Sequence, residues 1–409
     1  MTYLVPESAV GSAVSWVIAL HVLLAGVLAF VYARSRELNE TGSLVAAVGF
    51  MLSSKWLTHL LPAGHAVTIG LAWLPLVLLF VERAVANRSA WAVLGAGVAL
   101  ALLGLGTHPQ WAFYAGVFAL AWTFPAERAR LVRWAACWCI AGALAALLGA
   151  VQLFPTLEAA RWSARSGGLD AMGTLTVGIH TLFALVGPSR AYAPPQSWEI
   201  QGIFGLFWLG AATAAPLLAP RWKWPFGVLC GLFVFALGGA VLVDWLPGFD
   251  LFRVPTRMLV VATFPVAVLA GAATDAITRA RWSHDSRLAL SRGFRRAVLV
   301  AGLPTVLGLA FSGGPISRAF VAFCVALVVS LVVFVRLLQP SRTSERARTA
   351  VWCGILLADL IAPIATLPEV RPQSELYPSS PAMDRLAAQS EPMRVLDWDT
   401  GAEDARASF

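Results

Sequence analysis

The stretch Arg257-Met258-Leu259-Val260-Val261-Ala262-Thr263-Phe264-Pro265-Val266-Ala267-Val268-Leu269-Ala270-Gly271-Ala272-Ala273-Thr274-Asp275-Ala276-Ile277-Thr278 decides what kind of protein this is. No charge lies between Arg257 and Asp275. An apolar run of about 20 residues matches the ~30 Å hydrocarbon layer of a bilayer when helical. It has to be helical there, because lipid offers no partner to an open strand edge. Working outwards, similar runs lie at roughly 11–33, 42–60, 66–85, 90–107, 109–125, 131–155, 201–219, 225–246, 295–312, 319–338 and 349–366. The sequence therefore predicts an all-α polytopic integral membrane protein with about 12 transmembrane helices. Pro155 is expected to end one span, and Pro255 stands just ahead of another. The stretch 90–125 reads as two short spans that meet at Gly106-Thr107-His108-Pro109.

Composition agrees with this reading. Of 409 residues, 58% are hydrophobic and 13% charged, with a mean hydropathy of +0.73. Soluble domains sit near 45–50% and about 25%, so a soluble globular or disordered chain is excluded. The 30 Lys and Arg include only two lysines, Lys55 and Lys223. A net charge of +8 would suggest nucleic acid in a soluble protein. Here the cations sit in short loops between apolar runs, where they set topology and meet anionic lipid. All five cysteines fall inside apolar runs. Cys137 and Cys139 point apart on a helix and cannot share a metal, so core packing accounts for them best.

Taking alternate loops as one side gives nineteen cations there and eleven on the other, with four of the eleven in the tail and three in the 156–200 loop. The arginine-rich side is then cytoplasmic, and both termini face outwards. No Lys or Arg precedes Arg34, so an outward-starting first span is expected to follow an earlier helix and its outer loop. Residues 1–366 form the multi-spanning membrane domain. Residues 367–409, with five prolines and eight acids, read as an outward-facing tail that opens a soluble extracytoplasmic domain, a disordered tail being the alternative.

Ionisable groups in such a chain are functional candidates, since each is costly in lipid. His21 lies in the middle of the first run, where a carbonyl of a neighbouring helix can hold its neutral imidazole. Lys55 and His59 share one helical face and His65 follows; a cation with imidazoles at the lipid–water boundary suits a phosphate headgroup, a snorkelling lysine being the plain alternative. His108 and Gln110 flank Pro109 as a polar cap. Gln152 ends a run, and Glu158, Arg161 and Arg165 follow at i, i+3 and i+7, which places one carboxylate and two phosphate-matching guanidiniums on one face. An interfacial helix with an internal salt bridge is the competing account of that stretch. Arg253 and Arg257 flank Pro255 at a helix start, where free N–H groups favour anions. Arg257 opposes the helix dipole, so a bound anion or a carboxylate such as Asp250 would account for it. Glu199 and Gln201, beside Trp198, suit sugar hydroxyls or a membrane interface. Gly313-Gly314 opens a turn. No phosphate-cradling glycine loop, zinc motif or nucleophile elbow occurs.

Several segments, in order, resemble the YfhO-like family of bacterial membrane proteins, which is grouped with the GT-C glycosyltransferases. They are His21-Val22-Leu23-Leu24-Ala25-Gly26, then Ala72-Trp73-Leu74-Pro75-Leu76-Val77 with Glu82-Arg83 after it, then Gly106-Thr107-His108-Pro109-Gln110. Gln152 through Arg165 comes next, and last Phe252-Arg253-Val254-Pro255-Thr256-Arg257 with Leu269-Ala270-Gly271. The resemblance covers about residues 15–280, and hydropathy alone carries it further.

It implies a GT-C-like enzyme of the bacterial plasma membrane that takes a sugar from a polyprenyl-phosphate carrier. The acceptor is a cell-envelope polymer or surface glycoconjugate on the outer face. The partners are then the donor lipid, the acceptor and membrane lipids, with no nucleic acid. No cofactor is expected, a divalent metal having no support in the sequence. The family's usual carboxylate in the first outer loop has no counterpart, because that loop would precede Met1. The residues expected on the carrier phosphate are Arg161, Arg165, Arg253 and Arg257, with Lys55, His59, His108 and Gln152 around them. Glu158 or Glu199 would assist the acceptor. Two other classes stay open: a flippase or transporter of lipid-linked saccharides, towards which Asp359 in the last run leans, and a non-catalytic membrane scaffold.

Overall fold

A computed structural model describes residues 10–61, 64, 66–161, 171–186, 199, 204–246, 249, 254–311, 318–340, 343–364, 385 and 388. Among these, 86% are helical and none is in a strand. The chain forms two compact units, Met1–Leu367 and Pro368–Phe409. In the second only Arg385 and Ala388 are described, so the expected soluble domain lies outside the described residues.

The core is built around one helix, which we label after its predecessors. These are α1 (Val10–Ser35), α2 (Glu40–Met51), α3 (Ser54–Leu60), α4 (Leu74–Asn87), α5 (Ala90–Leu105), α6 (Pro109–Trp122), α7 (Leu131–Leu148), α8 (Ala150–Arg161), α9 (Ala171–Leu182), α10 (Leu206–Leu218) and α11 (Lys223–Ala236). The central helix is α12 (Met258–Arg279), entered through a 3-10 turn at Pro255–Arg257. After it come α13 (His284–Ala297), α14 (Leu303–Phe311), α15 (Arg318–Leu338) and α16 (Glu345–Ile364). Over its apolar window α12 is 94% buried. A helix that is apolar on every face and covered on every face belongs at the centre of a bundle.

Small residues let the neighbours of α12 approach it closely. On α2, Gly42 faces the Gly271 carbonyl so tightly that a Cβ added at Gly42 would lie 2.6 Å from that oxygen. Ala46 meets Gly271, and Gly49 fits against Ala267 and the Trp208 ring. Such contacts are how helices associate where burial of oil against oil gives no drive. Polar groups fix the register of the pair. Asn39 caps α2, its N–H donates to Asp275 at 2.8 Å, and its side chain donates to Thr278 at 2.8 Å. Helix α10 packs on α12 and α13 in the same manner, with Gly293 against Gly210 and Ala214. Phe207 stacks on Phe294 at 5.0 Å beside that contact.

Asp359 of α16 closes the start of α10. Its carboxylate accepts from the N–H groups of Leu206 (3.2 Å), Phe207 (2.7 Å) and Trp208 (3.3 Å), three donors that a helix start cannot satisfy itself. The leaning of Asp359 towards transport is thereby replaced by a structural role. Asp275 is likewise committed, to Asn39 and to Arg279 at 2.8 Å. His21 bonds the Val17 carbonyl of its own helix at 2.8 Å.

Four helical stretches are long and apolar enough to cross a membrane: Ser12–Ser35, Ala66–Asn87, Arg128–Leu148 and Pro255–Arg279. The first and third are only 17% and 11% buried, so their apolar faces look outwards as lipid-facing surfaces do. Of the other apolar runs, two form unbroken helices of 21 and 20 residues, α15 and α16, and the rest are shorter or broken. The run 42–60 breaks at Leu52-Ser53, where Ser53 is extended. Pro155 does not end a helix: the break falls at Gly149, and α8 continues through Pro155 to Arg161. Proline removes one hydrogen bond from a ladder without preventing the turn, which is why its position misled the boundary. Residues 279–296, read as a loop, contain the helix α13 capped by Ser283.

Replacing Gly271 with Val should drive α2 from α12 and lower stability by about 1–3 kcal/mol, the range for overpacking. Thermal unfolding in detergent is the measurement, and an unchanged midpoint would show that the two backbones do not touch.

Candidate functional site

Arg257 enters the protein on the turn that starts α12. Its Nε and Nη2 donate to Glu199 Oε1 at 2.9 and 2.6 Å, and its Nη1 donates to Gln110 Oε1 at 2.9 Å. The guanidinium carbon stands 5.0 Å from the Trp111 ring centre, so charge and ring face attract as well. Gln110 is held in turn, donating to the Tyr114 hydroxyl at 3.1 Å and to the Val254 carbonyl at 2.9 Å. Those bonds lock the fork of Arg257 between α6, Glu199 and its own turn.

Lys55 brings the second cation. It is 0% exposed on α3, and its ammonium donates to the Glu199 carbonyl at 3.3 Å. Glu199 attracts that charge and Arg257 repels it. Two basic side chains therefore converge on Glu199, Arg257 at its carboxylate and Lys55 at its backbone carbonyl; Lys55 and Glu199 are buried, while Arg257 keeps 21% of its side chain exposed. Glu199 Oε2 is buried with no hydrogen-bond partner among the described residues, as are the hydroxyls of Thr107 and Thr256. Buried polar atoms are normally bonded, so the unpaired Oε2 of Glu199, beside the guanidinium that its partner oxygen holds, is the exception that singles out this cluster.

Trp111 is the platform of the site. His59 and His108 meet its ring edge-to-face at 5.4 and 5.7 Å, while Arg257 covers its face. Local structure explains each placement. His108 Nδ1 accepts from the Gln110 N–H and caps α6, with Pro109 at its first turn. The His108 N–H donates to Val67 O at 2.9 Å, and the Gly70 N–H donates to Gly106 O at 2.9 Å, clamping the 106–108 turn to the 3-10 helix Ala66–Trp73. Trp56 of α3 donates to Thr68 in that same element at 3.2 Å. The chain is thus sewn together around the cluster.

Of the residues expected from sequence, Lys55, His59, His108, Glu199 and Arg257 come together. Glu199 proves to be the carboxylate that satisfies Arg257; Asp250 lies outside the described residues. Glu158 and Gln152 are exposed on α8, which packs mainly on α7, and no contact joins them to the cluster among the described residues. Arg161 ends α8, with its side chain outside the described residues, as are Arg165, Arg253, His65, Trp198 and Gln201. Trp111 and Tyr114 were missed. Their signal was available: Gln110, Trp111 and Tyr114 share one face of α6 at i, i+1 and i+4.

A second polar group lies farther along α12, where the rings of Tyr32 and Trp122 meet Phe264 at 5.5 and 6.2 Å. There Tyr32 donates to Glu82 at 2.8 Å, Arg36 donates to the same oxygen at 3.0 Å, and Trp122 donates to Tyr32 at 2.6 Å. Among the described residues no group of His, Cys, Asp and Glu is arranged to hold a metal ion, and the five cysteines are free thiols.

A double-mutant cycle of Arg257→Gln and Glu199→Gln should give a coupling energy of about 1.5–3 kcal/mol, as charge-assisted bonds do when desolvated. Unfolding in detergent measures it. Additive effects would mean that the two side chains do not pair.

Compared with known proteins, the chain matches no family model, no curated protein and no solved structure.

Proposed function

We propose that this chain is a membrane glycosyltransferase. It moves a sugar from a polyprenyl-phosphate carrier to a hydroxyl of a cell-envelope acceptor, on the membrane side opposite the arginine-rich loops. The observation that carries the reading is the convergence of two basic side chains on Glu199, Arg257 bonded to its carboxylate and Lys55 to its backbone carbonyl, with Oε2 of that carboxylate unbonded among the described residues. Positive charge fixed in a largely buried site stabilises an anion that develops during a reaction. The resemblance noted in the sequence adds the polyprenyl phosphate and a GT-C-like membrane architecture in the bacterial plasma membrane.

In the proposed reaction the acceptor oxygen attacks the anomeric carbon. The bond from that carbon to the phosphate oxygen breaks, its electron pair leaving with polyprenyl phosphate. Arg257 and Lys55 stabilise the charge gathering on the leaving phosphate, and Arg253, four residues earlier, is placed in the same role. Arg161 and Arg165 belong to this reading as outer contacts to the carrier phosphate. Glu199 takes the proton of the acceptor hydroxyl at Oε2, the oxygen that Arg257 leaves open. Trp111, buried beneath the Arg257 guanidinium with His59 and His108 against its ring, holds that fork in place for the phosphate.

A flippase would use the same cations but would release no carrier. The test is therefore chemical: the purified full chain in detergent is incubated with a polyprenyl-phosphate sugar and acceptor, and free polyprenyl phosphate is measured. Arg257→Ala should abolish release, and Glu199→Gln should slow it about 10²–10⁴-fold, the usual contribution of a positioned base. Arg257→Lys keeps the charge without the fork and should fall between. Release at the unmodified rate in Arg257→Ala would overturn the assignment.

A further inference from the structure

A groove of about 940 Å³, within the size range of ligand sites, opens beside the far end of α12, where Arg279 donates to the carbonyl of its lining residue Glu37. Two of the candidate crossing stretches end at it, with Ser35 and Asn87, and a third starts beside it near Arg130. The groove therefore opens where a membrane would meet water. Its floor is built and rigid, since Trp122, Tyr32, Glu82 and Arg36 form one hydrogen-bonded chain.

Four arginines and three glutamates line it. Three ion pairs form, Arg36–Glu82 at 3.0 Å, Arg130–Glu127 at 2.8 Å and Arg221–Glu37 at 3.4 Å. Arg83 has no carboxylate partner among the described residues. Arg36 bonds Glu82 through Nη1 alone, and its Nε and Nη2 have no hydrogen-bond partner among the described residues. The lining thus carries one uncompensated positive charge and spare guanidinium donors. Helix C-termini also point here and would repel an anion, but several of their carbonyls are occupied. Arg133 bonds Val85 O at 3.0 Å, Trp224 bonds Ala121 O at 3.0 Å, and Thr123 bonds Ala119 O at 2.7 Å. Beside the charges stand exposed rings, Phe124 at 46% and Trp224 at 53%, 6.0 Å apart. Cations next to exposed aromatics at a membrane boundary are the chemistry of a lipid headgroup site.

We infer that this groove seats a membrane phospholipid bearing one net negative charge, its phosphate held by Arg83 and Arg36 and its acyl chains laid along Phe124 and Trp224. The site is separate from the Arg257 cluster, and its occupancy does not depend on the glycosyltransferase reading. The lipid's phosphate bridges guanidiniums on α4 and on the turn after α1, tying together two helices whose own contact there is the single Glu82 carboxylate.

The test uses the delipidated full chain in detergent, with thermal unfolding and native mass spectrometry as readouts. Phosphatidylglycerol should raise the unfolding midpoint saturably and remain bound in the gas phase, and Arg83→Gln should weaken its apparent affinity about five- to tenfold, as loss of one cation near a phosphate does. Trp224→Ala should weaken it through the chains and leave the response to salt unchanged. Diacylglycerol with the same chains should have no saturable effect; equal protection by it would overturn the phosphate assignment. Equal protection by glycerol phosphate would assign the groove to a soluble anion instead of a lipid. If Arg83→Gln does not yield folded protein, Arg83→Lys replaces it and should bind with intermediate affinity. Unchanged affinity in either variant would overturn the proposal.

Discussion

Everything in the bundle depends on how closely two backbones can approach. Gly42 against Gly271, followed by Ala46 and Gly49 along the same seam, places α2 directly on α12. Because α2 runs into α3 after a two-residue break, the seam also sets where Lys55 and His59 end up. A larger residue at Gly49, next to the break and packed on Trp208 and Ala267, would move that end of α2 outwards and take the ammonium away from Glu199. Packing and chemistry are therefore linked through one helix pair, and α10 repeats the device with Gly210 and Gly293.

Buried carboxylates in this protein fall into two kinds, and the difference separates scaffold from site. Asp359 spends its oxygens on three N–H groups at the start of α10, and Asp275 spends its own on Asn39 and Arg279. Both are satisfied locally and hold elements in register. Glu199 is different. One oxygen takes two bonds from Arg257, the other takes none among the described residues, and a second cation stands on its carbonyl. A carboxylate with that asymmetry is poised to accept one more bond.

Much of this could be read from the chain, for reasons tied to distance along it. The apolar runs are local, so their helicity was legible, and so were the i, i+4 pair Lys55–His59 and the cap at His108. The cationic turn at Arg257 was conspicuous because it opposes the dipole of its own helix. What the sequence left open is non-local. Arg257 and Glu199 are 58 residues apart, and Arg257 and Gln110 are 147 apart. Nothing in the spacing chooses Glu199 over Asp250 or Glu158. The i, i+3, i+7 pattern of Glu158, Arg161 and Arg165 looked the stronger signal, yet Glu158 is exposed on α8. Periodicity reports which residues share a face and is silent on whether that face meets the core. The Pro155 boundary failed for a similar reason, since α8 tolerates one lost bond while Gly149 sets the break.

The strongest argument for a ligand at the Arg257 end is energetic. A buried ion pair is commonly no more stable than a well-packed apolar replacement, so stability alone gives little reason to keep one. The cluster sets the wholly buried Lys55 beside Arg257, which is bonded on three of its donors to Glu199 and Gln110. The aromatic platform and the clamped 106–108 turn hold this arrangement rigid, so it cannot relax by swinging the cations into solvent. In the proposed reaction, basic side chains held this rigidly need no rearrangement as charge gathers on the leaving phosphate, and that preorganisation gives a reason to bury them that stability alone does not.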